Sequence, residues 1–255
     1  MIQPEDVFAN ELEVFRTEAE SGIQFFYSYL AVHAVAREHK EVLLLLNRAP
    51  LFWNTALGAL QTSTFIALGR VFDQQSKHNV DRLLKIAQAN MSIFSKEALA
   101  GRKHRGSTNA DEWLEEYLSG VYVPNANDFR RLRRNVAQRR RVYESNYRAL
   151  RRQIFAHKEV SAKKDVQELL DKTNVRELQQ LLIFLGQLHE ALWQLYHNGR
   201  KPTLRPARYS VKRIREKPSP EPRGRALQER LTHEIEAFLR TAANEAQQPR
   251  QPDAP

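Results

Sequence analysis

An all-helical fold follows from three features of this 255-residue sequence. Glycine is sparse, at 9 residues, and few segments alternate polar with apolar side chains, so the signal for strands is missing. Apolar residues recur instead at steps of three and four, which places them on one face of a helix. The clearest run is Leu178, Leu181, Leu185, Leu188, Leu192 and Leu195. With 42% hydrophobic residues, the chain has enough apolar side chain to bury a core, in one domain of about 200 residues plus a tail or in two smaller ones.

Each element follows from this spacing. Phe8, Leu12, Phe15, Ala19, Ile23, Phe26 and Leu30 predict one long helix, or two broken near Ser21-Gly22. The apolar character continues through Leu43 to Leu46 until Pro50 stops it. Trp53, Leu57, Leu60, Thr64, Leu68 and Val71 form the next stripe, expected to be a helix buried inside the domain. Shorter helices fit Val80 to Ala89 and Asn109 to Leu118, the second with Asn109 as cap. Residues 101–108 predict an exposed basic loop, and 119–127 a loop centred on Pro124. A long Arg-rich helix is expected from Asp128 to about Ala156. The leucine run then ends at Asn198-Gly199, a C-cap pair.

The resulting organisation is a helical domain at 1–198 with a basic, Pro-rich C-terminal tail. Residues 199–225 are expected to be a disordered linker, since Lys201 to Arg225 carries nine Lys or Arg, two Glu and five Pro. A short helix is expected at 226–246, through Leu227, Leu231, Ile235 and Leu239, and disorder at 247–255.

Composition excludes several chemistries. There is no Cys, hence no disulfide, thiolate metal site or cysteine nucleophile. The acidic Met1–Asp6 stretch is not expected to be a signal peptide. The longest uncharged run, Leu51 to Gly69, contains Asn54, Gln61, Thr62, Ser63 and Thr64 and is too polar for a bilayer span. A cytoplasmic protein without a membrane contact is expected. No Gly-rich phosphate loop, nucleophile elbow or metal-ligand spacing occurs, so no cofactor and no metal are expected. His189, beside the leucine run, is expected to be structural or to lie at an interface.

The formal charge of +10 favours a polyanionic partner, most often nucleic acid. Its distribution sharpens this. Between Arg130 and Arg152 lie ten Arg and one Glu. Like charges at such spacings oppose helix formation unless acids elsewhere in the fold or an anionic ligand offset them. Tyr143 and Tyr147, interleaved with these arginines, are placed to stack on bases.

The Arg-rich segment ends in Leu150-Arg151-Arg152-Gln153-Ile154-Phe155-Ala156-His157-Lys158. This string resembles the signature of the HEPN superfamily, an Arg followed four to six residues later by His. Arg151 and Arg152 both fit, so two registers stand. A second segment, Thr64-Phe65-Ile66-Ala67-Leu68-Gly69-Arg70-Val71-Phe72-Asp73, is similar to the mid-domain segment of the abortive-infection U-type (AbiU2-like) HEPN branch, where a buried helix ends in an Arg and an Asp three residues apart. The resemblance covers about residues 5 to 197, with the basic tail outside it.

The resemblance implies an all-α HEPN-like helical bundle, RNA as partner, a homodimer, an antitoxin or other protein partner, and a role in bacterial defence or a toxin-type system. It implies metal-independent endoribonuclease action, with Arg151 or Arg152 and His157 catalytic. It places Arg70 and Asp73 beside them, with Arg148, Tyr147 and Lys158 as further binding residues. The chemistry is intelligible: His titrates near neutrality and takes a proton, and Arg is always charged and holds phosphate oxygens. On a regular helix Arg151 and His157 stand about 120° apart and about 9 Å along the axis. In the family that gap is met by dimerisation, which brings two such pairs into one cleft. The alternative is a non-catalytic scaffold or sensor of the same fold that binds RNA, nucleotide or a protein. A helical regulatory protein that docks through its leucine run and tail is a third reading.

Overall fold

The computed structural model describes residues 3–152, 174–205, 209–217 and 225–247. Among these residues every regular element is helical and there is no strand. The helices are α1 (Pro4–Glu38), α2 (Lys40–Arg48), α3 (Pro50–Phe72), α4 (Val80–Ala89), α5 (Lys96–Gly106), α6 (Leu114–Ser119), α7 (Ala126–Asn146), α8 (Val175–Asn198), α9 (Val211–Glu216) and α10 (Leu227–Glu245). Short helical turns lie at Met91–Phe94, Ala110–Glu112 and Arg148–Leu150. No helix among the described residues is long and apolar enough to cross a membrane.

Local signals explain most boundaries. α1 runs unbroken through Ser21-Gly22. Pro50 does not merely end α2 but opens α3, where its missing N–H has no intrahelical acceptor to lose. Asn79 caps α4 by accepting from the Arg82 N–H at 3.0 Å. At the start of α7 the Asn125 side chain accepts from the Asn127 N–H, and Asp128 accepts from the Asn125 N–H at 3.0 Å. Gly199 closes α8 in the left-handed region at φ 55°. A side chain there would be strained and would overlap Val121.

Tertiary contacts divide the chain into two compact units, residues 1–20 with 66–207, and residues 21–65 with 208–255. This differs from the expected 1–198 domain. The reason lies in the apolar face of α10. Leu239 and Ala243 are buried in one cluster with Val32, Val35, Ala36 and Val42, so the C-terminal helix shares a core with residues of α1 and α2. The described part of the expected linker 199–225 includes helix α9. Its Val211 and Ile214 are buried, and its Arg215 pairs with Glu236 at 2.7 Å and Glu38 at 2.8 Å. The Pro-dense residues 218–224 and the end of the chain lie outside the described residues.

In the second unit, the first half of α3 departs from the expected buried helix. Leu51 is 82% and Phe52 62% exposed, whereas Thr64, Phe65, Leu68, Val71 and Phe72 are buried further along.

The first unit is built on aromatic packing. The Phe8 ring meets Phe94 at 5.2 Å and Tyr196 at 5.1 Å, both edge-on, and Phe94 packs on Phe129. Residues 101–106, expected as a basic loop, are the last turns of α5. Ser95 caps that helix, and Arg102 is fixed by Glu5, by the carbonyls of Ile93 and Tyr196, and by the Tyr196 ring 4.1 Å away. The expected helix at 109–118 is divided into the turn Ala110–Glu112 and α6, and Asn109 makes no side-chain cap.

Burial sets a pH dependence. It holds the imidazoles of His189 and His197 in the first unit, and of His33 in the second, below the ordinary histidine range. Below a pH of about 6.5 the unfolded chain takes up protons that these folded histidines refuse. Their contribution to stability is therefore full above that pH and is lost as pH falls. Circular-dichroism melts are expected to give a lower Tm at about pH 5.5 than at about pH 7.5; an unchanged or higher Tm at the acid end would refute the assignment.

Candidate functional site

The site grows from the end of α3. Phe72, the last residue of that helix, stacks on Tyr143 of α7 with ring centres 5.4 Å apart and planes at 23°. Both rings are buried, and they hold the end of α3 against α7. Asp73 follows, its N–H still bonded to the Gly69 carbonyl at 2.9 Å. Its carboxylate meets Arg151 Nη1 directly and lies 3.6 Å from Arg148 Nε. The Arg151 side chain passes over α3 at Gly69, where any Cβ would overlap its Nε, Cδ and Cζ. Glycine at 69 thus leaves room for the Arg151 side chain, and a methyl group there would push Arg151 off Asp73.

These groups wall a cleft of about 590 Å³, lined by Asp73, Gln74, Gln75, Ser76, Glu144, Arg148, Arg151 and Arg152. Its three arginines face two carboxylates. Among the described residues, the buried Nε groups of Arg148 and Arg151 lack a hydrogen-bond acceptor, as does the buried Tyr143 hydroxyl. Burial, then the Asp73 carboxylate, pushes the Tyr143 phenol up to about 12, so it stays neutral at physiological pH. The cleft therefore offers cationic donors to an anionic group of phosphate size.

The structure brings Asp73, Arg148, Arg151 and Arg152 together. It does not bring Arg70 to them. Arg70 is exposed and bonds Glu18 at 3.1 Å, whereas Asp73, just past the end of α3, turns its carboxylate to Arg151 and Arg148. Tyr147 is also not where a base would reach it. Its ring is buried, its hydroxyl bonds Glu177 at 2.7 Å and the Asn174 carbonyl at 3.2 Å, and burial raises its phenol well above the ordinary range. Tyr143 is buried as well, so neither tyrosine is a stacking platform. Their apolar bodies complete the core of the first unit. His157 and Lys158 lie outside the described residues.

Tyr147 has a different role. It interrupts the expected 128–156 helix, with φ −124° and ψ −24° just after α7. Asn146 bonds the same Glu177 at 2.7 Å, and Asn174 caps α8. The residues on either side of the 153–173 stretch are thus tied to each other, and the tie sets where Arg148 and Arg151 stand.

The residues that sequence spacing did not point to are Gly69, Tyr143 as the ring that holds Phe72, and Gln74, Gln75, Ser76 and Glu144 of the lining. Gly69 alone had a signal: glycine inside a helix costs about 1 kcal/mol against alanine, which marks a close approach.

Two features now stand together: an all-helical unit, and an Arg-bearing segment meeting the Asp just past the end of α3. A comparison with known families agrees with the first of these. The HEPN AbiU2 family model matches residues 5–214, which carries the similarity past Gly199 into α9, beyond the limit expected at about residue 197. No curated protein and no solved structure matches the chain. A match over that span of the chain makes it a member of the HEPN AbiU2 family.

Proposed function

We propose that this HEPN protein binds RNA at the Asp73–Arg151 cleft and cuts it without a metal, in bacterial defence or a toxin-type system of the cytoplasm. The observation that carries the proposal is the placement of Arg151, which is anchored by Asp73, packed on Gly69 and turned to a cleft that also holds Arg148 and Arg152. An arginine so held has little freedom left to lose when a phosphate arrives. His157 takes the proton of the ribose 2′-hydroxyl. The 2′ oxygen bonds the phosphorus and Arg151 balances the added charge of the phosphorane. The 5′ oxygen leaves with the electron pair of the broken P–O bond and takes a proton from solvent. The products are a 2′,3′-cyclic phosphate and a 5′-hydroxyl. A homodimer that pairs two such clefts, and a protein antitoxin, belong to the same proposal.

The test is incubation of the purified protein with total RNA in EDTA. Cutting is expected to persist, and to vanish on substrates whose sugar at the cut site is 2′-deoxy or 2′-methoxy. A second reading, a non-catalytic RNA-binding scaffold, is favoured by one observation: Asp73 already engages Arg151. Binding without any cutting would select it.

A further inference from the structure

A second cleft adjoins the first. It measures about 850 Å³ and lies between α4, α7 and the 73–79 turn. Gln74 and Ser76 line both clefts, so a strand leaving one enters the other. Lys77, Arg82, Lys85, Arg133 and Arg140 supply its charge.

Most acids near this cleft are already engaged. Asp81 meets Arg140, and the buried Glu11 holds Arg82 at 2.8 Å and His78 at 3.1 Å. Among the described residues Arg133 bonds only the neutral Gln88 side chain, at 3.2 Å. Lys77 and Lys85 are exposed and have no carboxylate partner among the described residues. Among the described residues three cations therefore face the cleft uncompensated, and the buried Nε of Arg140 behind them lacks an acceptor.

The arrangement along α7 is directional. Arg133, Arg140 and Arg148 follow one another at seven and eight residues, close to two helical turns, so they form one stripe about 22 Å long. The Tyr147 interruption keeps this register, since its N–H still bonds the Tyr143 carbonyl and the Arg151 N–H bonds the Tyr147 carbonyl, each at 2.9 Å. The stripe runs from the second cleft into the first.

We infer that the second cleft is a backbone-binding subsite for single-stranded RNA, which tracks along this stripe to or from the Asp73–Arg151 cleft. Among the described residues Val7 and Ile86 are the only apolar ones lining it, so it lacks the apolar anchor that protein docking needs. Amides and cations around an open channel suit a phosphate backbone read without sequence. The inference rests on the reading that the first cleft binds RNA.

The test uses oligouridylates with 2′-methoxy sugars, which are not cut, one of about 16 nucleotides and one of about 4, the span of single-strand sites. The triple variant Lys77→Ala, Lys85→Ala, Arg133→Ala is compared with wild type by fluorescence anisotropy across salt. For the long oligomer its affinity is expected to fall at least about 10-fold, and its salt slope by about 2, at roughly 0.7 per lost phosphate contact. The short oligomer is expected to bind as before. A second triple variant, Arg130→Ala, Arg134→Ala, Arg141→Ala, removes three exposed charges of α7 that line neither cleft. An equal loss there would overturn the inference, because bulk charge and not the cleft would be acting. Unchanged long-oligomer binding in the first variant would overturn it too, as would a preference for polyglutamate over RNA at these residues. Should the triple variant misfold by circular dichroism, Lys85→Glu alone is expected to weaken the long oligomer and spare the short one, with the salt slope lower by about 0.7. Wild type that binds neither oligomer would refute the proposed function itself, which keeps the two failures apart.

Discussion

Replacing His157 by Ala is expected to slow RNA cleavage about 10²- to 10⁴-fold while RNA affinity stays nearly constant. The reason is the division of labour in the proposal. A general base acts only as the transition state forms, whereas the arginines of the cleft meet phosphate in both ground and transition states. The two neighbouring arginines are expected to separate in the same assay. Arg151 is anchored on Asp73 and Gly69, and Arg152 is exposed at the cleft rim. Arg151→Ala is expected to lose cleavage nearly as His157→Ala does, and Arg152→Ala to lose chiefly affinity. The reverse order would move the motif to its other register. Cleavage that survives His157→Ala unchanged would remove the enzyme reading and leave the scaffold.

Removing Asp73 is expected to have the largest effect among residues outside the Arg-His motif, and to act on two quantities in opposite directions. Asp73→Ala leaves the guanidinium groups of Arg151 and Arg148 without their carboxylate. The side chains of Asp73 and Arg151 are 17% and 21% exposed, so water relieves part of that loss. A stability cost of about 1–3 kcal/mol is expected, seen as a Tm lower by roughly 3–10 °C. Phosphate affinity is expected to rise, since a negative charge has left the cleft, while cleavage falls because Arg151 is no longer held. Gly69→Ala makes the same point without touching a charge. Alanine is the better helix former by about 1 kcal/mol, so little stability is lost, yet its methyl group displaces Arg151 and cleavage falls. Arg70→Ala breaks only an exposed pair with Glu18 and is expected to cost less than about 1 kcal/mol and leave cleavage intact. Equal effects of Arg70→Ala and Asp73→Ala on cleavage would contradict this account.

The sequence by itself determined the features that depend on neighbours along one helix. The leucine run from Leu178 to Leu195 is the buried face of α8, and Gly199 ends it in the left-handed region, because spacing and capping are local properties. Val80–Ala89 is α4 with the same limits, set by the Asn79 cap. The family likewise was legible in two short strings. Only the tertiary structure decided which charges meet. Asp73 and Arg151 are 78 positions apart, and no periodicity says that Asp73 takes Arg151 while Arg70 takes Glu18. Nor could spacing tell that Tyr143 and Tyr147 turn inward, since an aromatic ring among arginines suits a core as well as a ligand. The same holds for the second unit, where α10 shares its core with residues about 200 positions earlier. In each case the outcome depended on which surfaces pack, because ion pairs and cores form across the fold while helical periodicity reports only the face a residue occupies.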